Sequence, residues 1–318
     1  MSLSLTPASW TSLRRLWGLW AEENFFQQEL DRSEKPDRLF YRIDEPGYPP
    51  YVAYWPKGLK SKERSRQTLQ SRNAPIGTYT ENWLRRLLEP IAQNLGFSVV
   101  ADLRCHRLGL DRNSPADLAF TRISHGDRAD YAPEEIALII EVKMSLVWNW
   151  GYEPTTGTLS LLGDYTTHQG RPSLLRSDSV LKAIGKGVNV HTSTFDMRIP
   201  FIVVGNSPLA RSYHSKADLL RRVGLVDLFL SVNPQPLERD HHQPENVKET
   251  LGGGFQRVDS VTELAEVLES LLQEERATIV ARLPYDVLGA LITRAAQTAM
   301  SDAERGRLFL QLLEEVIR

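Results

Sequence analysis

Residues 136–145 read IALIIEVKMS, and this stretch decides how the chain folds. Its first five residues are apolar, which is typical of a strand buried on both faces in the middle of an α/β sheet. An acid and a lysine, Glu141 and Lys143, follow two positions apart. Burying such groups without partners would cost about 2–7 kcal/mol for each polar group and more for a charge. The strand must therefore end either in solvent or at a site that uses both charges.

The composition is typical of a globular protein. The chain has 318 residues, of which 41% are hydrophobic and 25% charged, enough for one large or two modest domains. It has no run of about 18 apolar residues, and its N-terminus lacks the basic-then-apolar pattern of a signal peptide. Cys105 is the single cysteine, which excludes an intrachain disulfide and a cysteine-rich zinc site. We therefore expect a cytoplasmic protein with no membrane partner.

Periodicity on either side of the apolar run predicts an α/β fold, with a mixed central β-sheet flanked by helices. In chain order we expect a helix at 78–95, strands at 97–105, 114–123 and 135–144, a helix at 179–190, a strand at 199–207, a helix at 216–224 and a strand at 226–233. Strands and helices that alternate in this way are typical of one sheet covered by helices.

The remaining sequence divides into extensions of this core. Residues 1–77 are expected to form an N-terminal helical and basic extension, ahead of a core at 78–232. Residues 233–258 contain proline, glycine and histidine with little periodicity, which predicts a linker or mobile loop. Residues 259–318 form a C-terminal helical region. The expected helices outside the core lie at 5–30, 260–282, 284–299 and 302–317.

Acids near the ends of two predicted strands indicate a cation site. Asp117 lies near the start of the second strand and Glu141 near the end of the third, so antiparallel pairing would bring their carboxylates together. Close carboxylates repel unless a cation lies between them, and oxygen-only ligation suits Mg²⁺. Lys143 shares a face with Glu141, where an ammonium can hold a water molecule or stabilise charge on phosphate. The pattern indicates phosphodiester hydrolysis.

These residues, in this order of elements, resemble the PD-(D/E)XK nuclease superfamily, which includes most type II restriction endonucleases. The resemblance covers roughly residues 78–207: twenty-three residues separate Asp117 from Glu141-Val142-Lys143, which follows the apolar run. One departure is the proline, which in the family usually stands directly before the aspartate, whereas here the order is Pro115-Ala116-Asp117. The proline does no chemistry, so the mechanism does not depend on it.

The resemblance implies a restriction-endonuclease-like core and a set of roles. Asp117, Glu141 and Val142 would hold Mg²⁺, with Mn²⁺ as a substitute, and Lys143 would assist the attacking water. A further acid on the first core helix often joins such sites, and Glu81 occupies that position. The implied function is Mg²⁺-dependent cleavage of double-stranded DNA, favoured as that of a sequence-specific type II restriction enzyme acting as a homodimer.

Other functions and simpler structural roles stay open. The chain could be a repair, recombination or defence nuclease that recognises DNA structure, a non-catalytic nucleic-acid-binding protein that kept the fold, or an interaction protein built on its terminal helices. Glu141 and Lys143 could be solvated at a strand end, and Asp117 could be a turn acid. Asp127 and Asp130 are alternatives for the first ligand.

Three further groups of residues are candidates for DNA contact. They are the basic residues Lys57, Lys60, Lys62, Arg64 and Arg66, in a charge run that ends at Arg72; Asn149, His168, Gln169 and Arg171 in the long segment 145–177; and Lys182 and Lys186 on the helix after the site. The alternative for the charge run and for the two lysines is a solvated surface. Segment 145–177 could equally pack on the sheet as an ordered surface loop.

Overall fold

A computed structural model describes residues 15–32, 35–59, 66–193, 199–237, 243, 246–274, 283–298 and 301–317. Its strands are β1 (Tyr41–Arg42), β2 (Tyr51–Val52), β3 (Ser98–Leu103), β4 (Ala116–Thr121), β5 (Ile136–Val142), β6 (Asn149–Glu153), β7 (Thr158–Gly163), β8 (Phe201–Gly205), β9 (Leu228–Ser231) and β10 (Phe255–Arg257). Its α-helices are α1 (Leu19–Arg32), α2 (Arg66–Asn94), α3 (Ser177–Ser193), α4 (His214–Arg222), α5 (Val261–Gln273), α6 (Tyr285–Ala296) and α7 (Asp302–Ile317).

The central sheet is mixed, which confirms the predicted fold class. Six strands lie in the order β10-β9-β8-β5-β4-β3. Strands β3, β4 and β5 pair antiparallel, whereas β5, β8, β9 and β10 pair parallel. All seven residues of β5 are buried, because this strand has a neighbour on each side and packed layers over both faces. This position accounts for the continuous apolar run.

Helix α3 follows the β6–β7 hairpin, leads into the parallel strand β8 and lies close against the sheet. The approach depends on Gly187, where a Cβ atom would lie 2.6 Å from the carbonyl oxygen of Leu225. Any side chain at this position would push the helix away from the sheet. This close packing places Lys186, which directly precedes Gly187, next to the end of β5.

A second, four-stranded sheet in the order β1-β2-β6-β7 was not predicted. Its strands come from the proline- and tyrosine-rich segment before the core and from segment 145–177, which therefore forms a β-hairpin that packs on the rest of the molecule. Stacked aromatic rings hold this sheet against α1. The ring centroids of Phe26 and Phe40 lie 4.8 Å apart, and those of Phe40 and Tyr152 lie 5.5 Å apart.

Two predicted boundaries were wrong. Helix α2 begins at Arg66 rather than at Thr78, so it crosses the expected border between the N-terminal extension and the core. The helix continues through Pro75, which removes one hydrogen-bond donor but does not end it. The expected linker 233–258 contains β10, whose Phe255 is fully buried at the parallel edge of the central sheet. Part of the expected N-terminal helix, 5–14, lies outside the described residues.

The C-terminal region is helical, as predicted, but its helices pack in different places. Helix α5 adds Leu264 and Leu268 to the main core. Helices α6 and α7 pack on each other around a separate small core of Leu291, Leu312 and Leu313. Within the described part of the chain, none of the helices has the length and apolar character needed to cross a membrane.

Candidate active site

The register of β4 and β5 brings Asp117 and Glu141 together, as the sequence predicted. Leu118 pairs with Ile140 in the antiparallel ladder, so the next positions outward are Asp117 and Glu141. The backbone N–H of Val142 donates a hydrogen bond to Asp117 Oδ2 at 2.7 Å, which fixes the orientation of this carboxylate. Both acids therefore lie at the end of a buried strand, where the central sheet meets α3.

Two lysines, Lys143 and Lys186, neutralise these carboxylates. The Nζ atom of Lys143 lies 2.5 Å from Glu141 Oε1 and 3.8 Å from Asp117 Oδ2. The Nζ atom of Lys186, from α3, lies 2.5 Å from Glu141 Oε2 and 3.6 Å from Asp117 Oδ1. Each ammonium thus contacts both acids, and the four charges cancel.

Lys186, the lysine from α3, belongs to the site, but the sequence predicted a different role for it. We expected Lys186 to contact phosphate or to be solvated, but its side chain is only 13% exposed. A signal was present, because Lys186 lies three residues after Ala183 and directly before Gly187, both on the buried face of the helix. Lys182, by contrast, is exposed, which agrees with the alternative that it is a solvated surface residue.

Burial and charge together set the ionisation of the site. Burial, and then the nearby charge of Glu141, raise the pKa of Asp117, while the two lysines lower it less. Burial alone would lower the pKa of Lys186, but the charges of Asp117 and Glu141 outweigh it and raise that pKa above its usual value. The acids and lysines therefore depend on each other, and removing one member leaves a buried charge without its partner.

Glu81 of α2 lies near the site without joining it. Its side chain is half-buried, and burial followed by the charge of Asp117 raises its pKa to about 7. Among the described residues, no three Asp, Glu, His or Cys side chains lie close enough together to hold one metal ion. Glu81, Asp117 and Glu141 are therefore electrostatic neighbours rather than one ligand set in this conformation.

A hydrogen-bond network that the sequence did not reveal fixes the backbone after β5. Lys143 N–H donates to the carbonyl of Val204 at 2.7 Å, and the Ser173 hydroxyl donates to the carbonyl of Lys143 at 2.5 Å. Ser173 has a positive φ of 49°, a strained conformation for a residue other than glycine. Asn206 bonds the main chain of Ser145 through both its side-chain oxygen and nitrogen. This network holds the Lys143 backbone in place beside the carboxylates.

The donor set fits a hard divalent cation. Asp117 and Glu141 supply carboxylate oxygens, and Val142 supplies a backbone carbonyl that accepts a hydrogen bond from Lys143 Nζ at 3.2 Å. Two ammonium groups, those of Lys143 and Lys186, already contact both carboxylates, so positive charge is accommodated next to this pair of acids. Two carboxylates plus water and substrate oxygens are typical of Mg²⁺ ligation. The residues present therefore fit the metal.

The candidate DNA contacts divide into buried and exposed residues. Asn149 is buried and accepts a hydrogen bond from Tyr54 N–H, so it does not face DNA. His168 is also buried: it stacks on Tyr54 with ring centroids 4.1 Å apart, and burial lowers its pKa to about 4. Both expectations fail because segment 145–177 packs into the molecule. Gln169 and Arg171 are exposed.

The basic run is only partly described. Lys57 is exposed, whereas Lys60, Lys62 and Arg64 lie outside the described residues, as does the side chain of Arg66. Arg72 is 1% exposed and belongs to the interior. Of the two alternative acids, Asp127 binds Arg85 and the backbone N–H of Ala101, and Asp130 lies near His106; neither takes part in the contacts among Asp117, Glu141 and the two lysines.

Comparison with protein-family models, with curated proteins and with solved structures found no match for this chain. The fold and the site geometry are therefore the basis for any statement on function.

Proposed function

We propose that this chain is a metal-dependent endonuclease that hydrolyses phosphodiester bonds of double-stranded DNA. One observation carries the proposal: Asp117 and Glu141 converge at the end of a buried strand together with the ammonium of Lys143. Two lysines that each reach both carboxylates keep cationic donors at this strand end. The arrangement supports phosphoryl chemistry, in which charge builds up on oxygens.

The chain's own residues would divide the work as follows. Bound at Asp117, Glu141 and the Val142 carbonyl, Mg²⁺ would supply Lewis acidity and lower the pKa of a bound water. Lys143 Nζ, held next to Glu141, donates a hydrogen bond to the attacking water and keeps it near the phosphorus. Lys186 Nζ balances the charge of the carboxylates and donates to a phosphate oxygen as negative charge grows. Attack by the water oxygen forms one P–O bond and breaks the P–O bond to the leaving sugar oxygen, while the attacking water gives up a proton to solvent and the leaving oxygen takes one from solvent.

Sequence-specific cleavage of the type II kind is the favoured form of this activity. Recognition of bases needs protein surface beyond the catalytic core, and the second sheet together with α5 to α7 supplies such surface. Cutting both strands at one position requires two catalytic centres, which a homodimer provides. A nuclease that recognises DNA structure would share the centre but not the sequence dependence.

Incubation with supercoiled plasmid and mixed-sequence linear DNA tests the proposal. The wild-type protein is compared in Mg²⁺, in Mn²⁺ and in EDTA with Glu141→Gln and with Glu134→Gln, a matched exposed acid that binds Arg107. Discrete fragments that need the metal, persist in Glu134→Gln and vanish in Glu141→Gln support a sequence-specific nuclease. Metal-dependent smearing points to a nuclease that recognises structure. Binding without cleavage under every condition overturns the proposal in favour of a non-catalytic DNA-binding protein.

A further inference from the structure

A pocket of about 570 Å³ opens beside the candidate active site. Val142 and Lys143 form part of its wall, so the pocket and the site are continuous. The opposite wall comes from the second sheet and from α2, through Tyr41, Trp55 and Arg72. Its volume lies within the range of about 300–1,000 Å³ that small-molecule sites have.

The charged groups of this pocket are all positive. Four cationic side chains line it, those of Arg72, Lys143, Arg171 and Arg176, and none of the lining residues among those described is an acid. Arg176 pairs with Asp178 outside the pocket lining, at 2.7 Å. Arg171 is exposed and forms no ion pair within the described part of the chain. A concave surface of one charge sign attracts a ligand of the opposite sign.

Arg72 places a buried positive charge behind the pocket wall. Its side chain is 1% exposed, and its Nη1 donates to two carbonyl oxygens, those of Leu39 and Ala53. Its guanidinium lies 4.6 Å from the Tyr54 ring centroid, and its Nε has no hydrogen-bond partner. The described residues provide no carboxylate for this buried charge. The Nε atom is itself buried, so a ligand does not reach it; the two carbonyls and the Tyr54 ring stabilise the guanidinium, and its charge adds to the positive field of the pocket.

The neutral part of the lining favours a planar ligand. Trp55 and Tyr41 stand edge to face, with centroids 6.3 Å apart, at one side of the pocket. Asn73 and Gln169, both exposed, offer side-chain amides. Aromatic rings together with amide donors and acceptors are the groups that bind nucleobases.

We infer that this pocket binds one nucleotide of the substrate strand, with its phosphate at the exposed Arg171, within the positive field to which Arg72 contributes, and its base beside Trp55. The inference rests on the proposed nuclease function, because the pocket is continuous with Lys143. A nucleotide that enters a pocket leaves the base stack, and this costs least where the base is already unpaired. DNA with an unpaired nucleotide near the cleavage position should therefore bind more tightly than the matching perfect duplex.

Calorimetric titration of the full-length protein tests the pocket without relying on cleavage. The probes are the four deoxynucleoside 5′-monophosphates, the corresponding nucleosides and inorganic phosphate. We expect a monophosphate to bind at least about tenfold more tightly than its nucleoside or phosphate alone, since both parts of the ligand contribute. Arg171→Gln and Trp55→Phe should each weaken that binding about tenfold. Arg107→Gln, an exposed arginine outside the pocket lining, is the control.

The outcome of the titration supports or overturns the nucleotide pocket. Arg72→Gln removes a buried group and can unfold the protein, so the test relies on the exposed Arg171 and the half-buried Trp55. No monophosphate binding up to about 10 mM, or binding that neither variant changes, overturns the inference. Inorganic phosphate that binds as tightly as the monophosphates also overturns it, because the pocket is then a simple anion site. Cleavage of DNA without nucleotide binding refutes the pocket alone, whereas nucleotide binding without cleavage refutes the nuclease function and leaves the pocket a nucleotide site.

Discussion

The chain buries carboxylates in two regions and satisfies them in different ways. Glu22 of α1 is fully buried, and its two oxygens accept four hydrogen bonds from uncharged N–H groups: the backbone of Val147 and Trp148 and the indoles of Trp17 and Trp150. At the candidate active site, Glu141 meets two ammonium groups instead, those of Lys143 and Lys186. One acid is thus held by uncharged N–H dipoles and the other by two ammonium charges.

The difference separates a structural site from an exchangeable one. The donors to Glu22 lie on backbone and packed rings, so they define one geometry and tie α1 to the start of β6. An ammonium ends a flexible stem of four carbons, so it can turn away and leave its place to a metal ion or a phosphate. Burial of an acid alone therefore does not mark a functional site; the charged partners on flexible stems are what distinguish Glu141 from Glu22.

The largest expected effect is on DNA cleavage, which should depend on Glu141 but not on Glu22. We expect Glu141→Gln to lower metal-dependent DNA cleavage by about a thousandfold, because it removes one of two charged metal ligands. Glu22→Gln should leave the activity of the folded protein within about twofold, since Glu22 bonds only structural groups. Rates of plasmid cleavage at saturating Mg²⁺, corrected for the folded fraction, provide the measurement. Equal losses in the two variants would contradict the distinction.

The second expected effect is on the free energy of unfolding, which should depend on Glu22. Above the Glu22 pKa of about 8, where this group is a carboxylate, the amide NH₂ of Glu22→Gln replaces one of its oxygens, so two N–H groups lose their acceptor. We expect the free energy of unfolding to fall by about 2–4 kcal/mol. Urea unfolding followed by circular dichroism measures this loss. Glu23→Gln, the exposed neighbour on the same helix, should change stability by less than about 0.5 kcal/mol, and a similar loss in both variants would refute the explanation.

The same carboxyl group predicts how stability varies with pH. Burial raises the pKa of Glu22 from 4.5 to about 8 in the folded protein, and the four N–H donors only partly oppose it. The folded state then holds a proton that the unfolded state releases, so this group's contribution is complete below pH 4.5 and is lost as the pH rises through about 8. Urea midpoints across this range should fall in the wild type relative to Glu22→Gln. A difference that grows with pH would mean that the N–H donors, rather than burial, determine ionisation.

The elements and the paired acids could be predicted because their signals are local. The apolar run of β5 and the alternation in β4 indicate strands, and antiparallel pairing of neighbouring strands places Asp117 beside Glu141. Whether these residues act on DNA stays a prediction. The contacts that could not be predicted join distant segments: Glu22 meets a backbone N–H 125 positions away, and Arg72 bonds the carbonyl of Leu39.

Other incorrect predictions arose from local sequence signals that the packed structure overrides or that are too short to detect. The first core helix was expected to begin only at residue 78, but it continues through Pro75, because a proline removes only one hydrogen bond and tertiary packing outweighs that cost. A basic run indicates a solvated surface, yet Arg72 points inward because the second sheet covers it. That sheet was missed because its first two strands have only two residues each, too short to show alternation.

A smaller effect tests whether the lysines at the active site are exchangeable. If Lys186 competes with a metal for Asp117 and Glu141, Lys186→Met should bind Mn²⁺ about tenfold more tightly and yet cleave DNA more slowly. Electron paramagnetic resonance of free Mn²⁺ measures the affinity. Lys182→Met, on an exposed position of the same helix, should leave the affinity unchanged. Weaker Mn²⁺ binding in Lys186→Met would mean that this lysine supports the carboxylates rather than competing with the metal.

The smallest effect concerns the half-buried Glu81, which resembles neither buried acid. It does not form a metal-ligating group with Asp117 and Glu141 within the described residues, and its link to them is electrostatic. We therefore expect Glu81→Gln to change the cleavage rate by about threefold or less, and to do so less in high salt, which screens such coupling. Rates at low and high ionic strength, beside those of Glu89→Gln farther along α2, provide the test. A loss as large as that of Glu141→Gln, independent of salt, would mean that α2 moves when the metal binds and makes Glu81 a ligand.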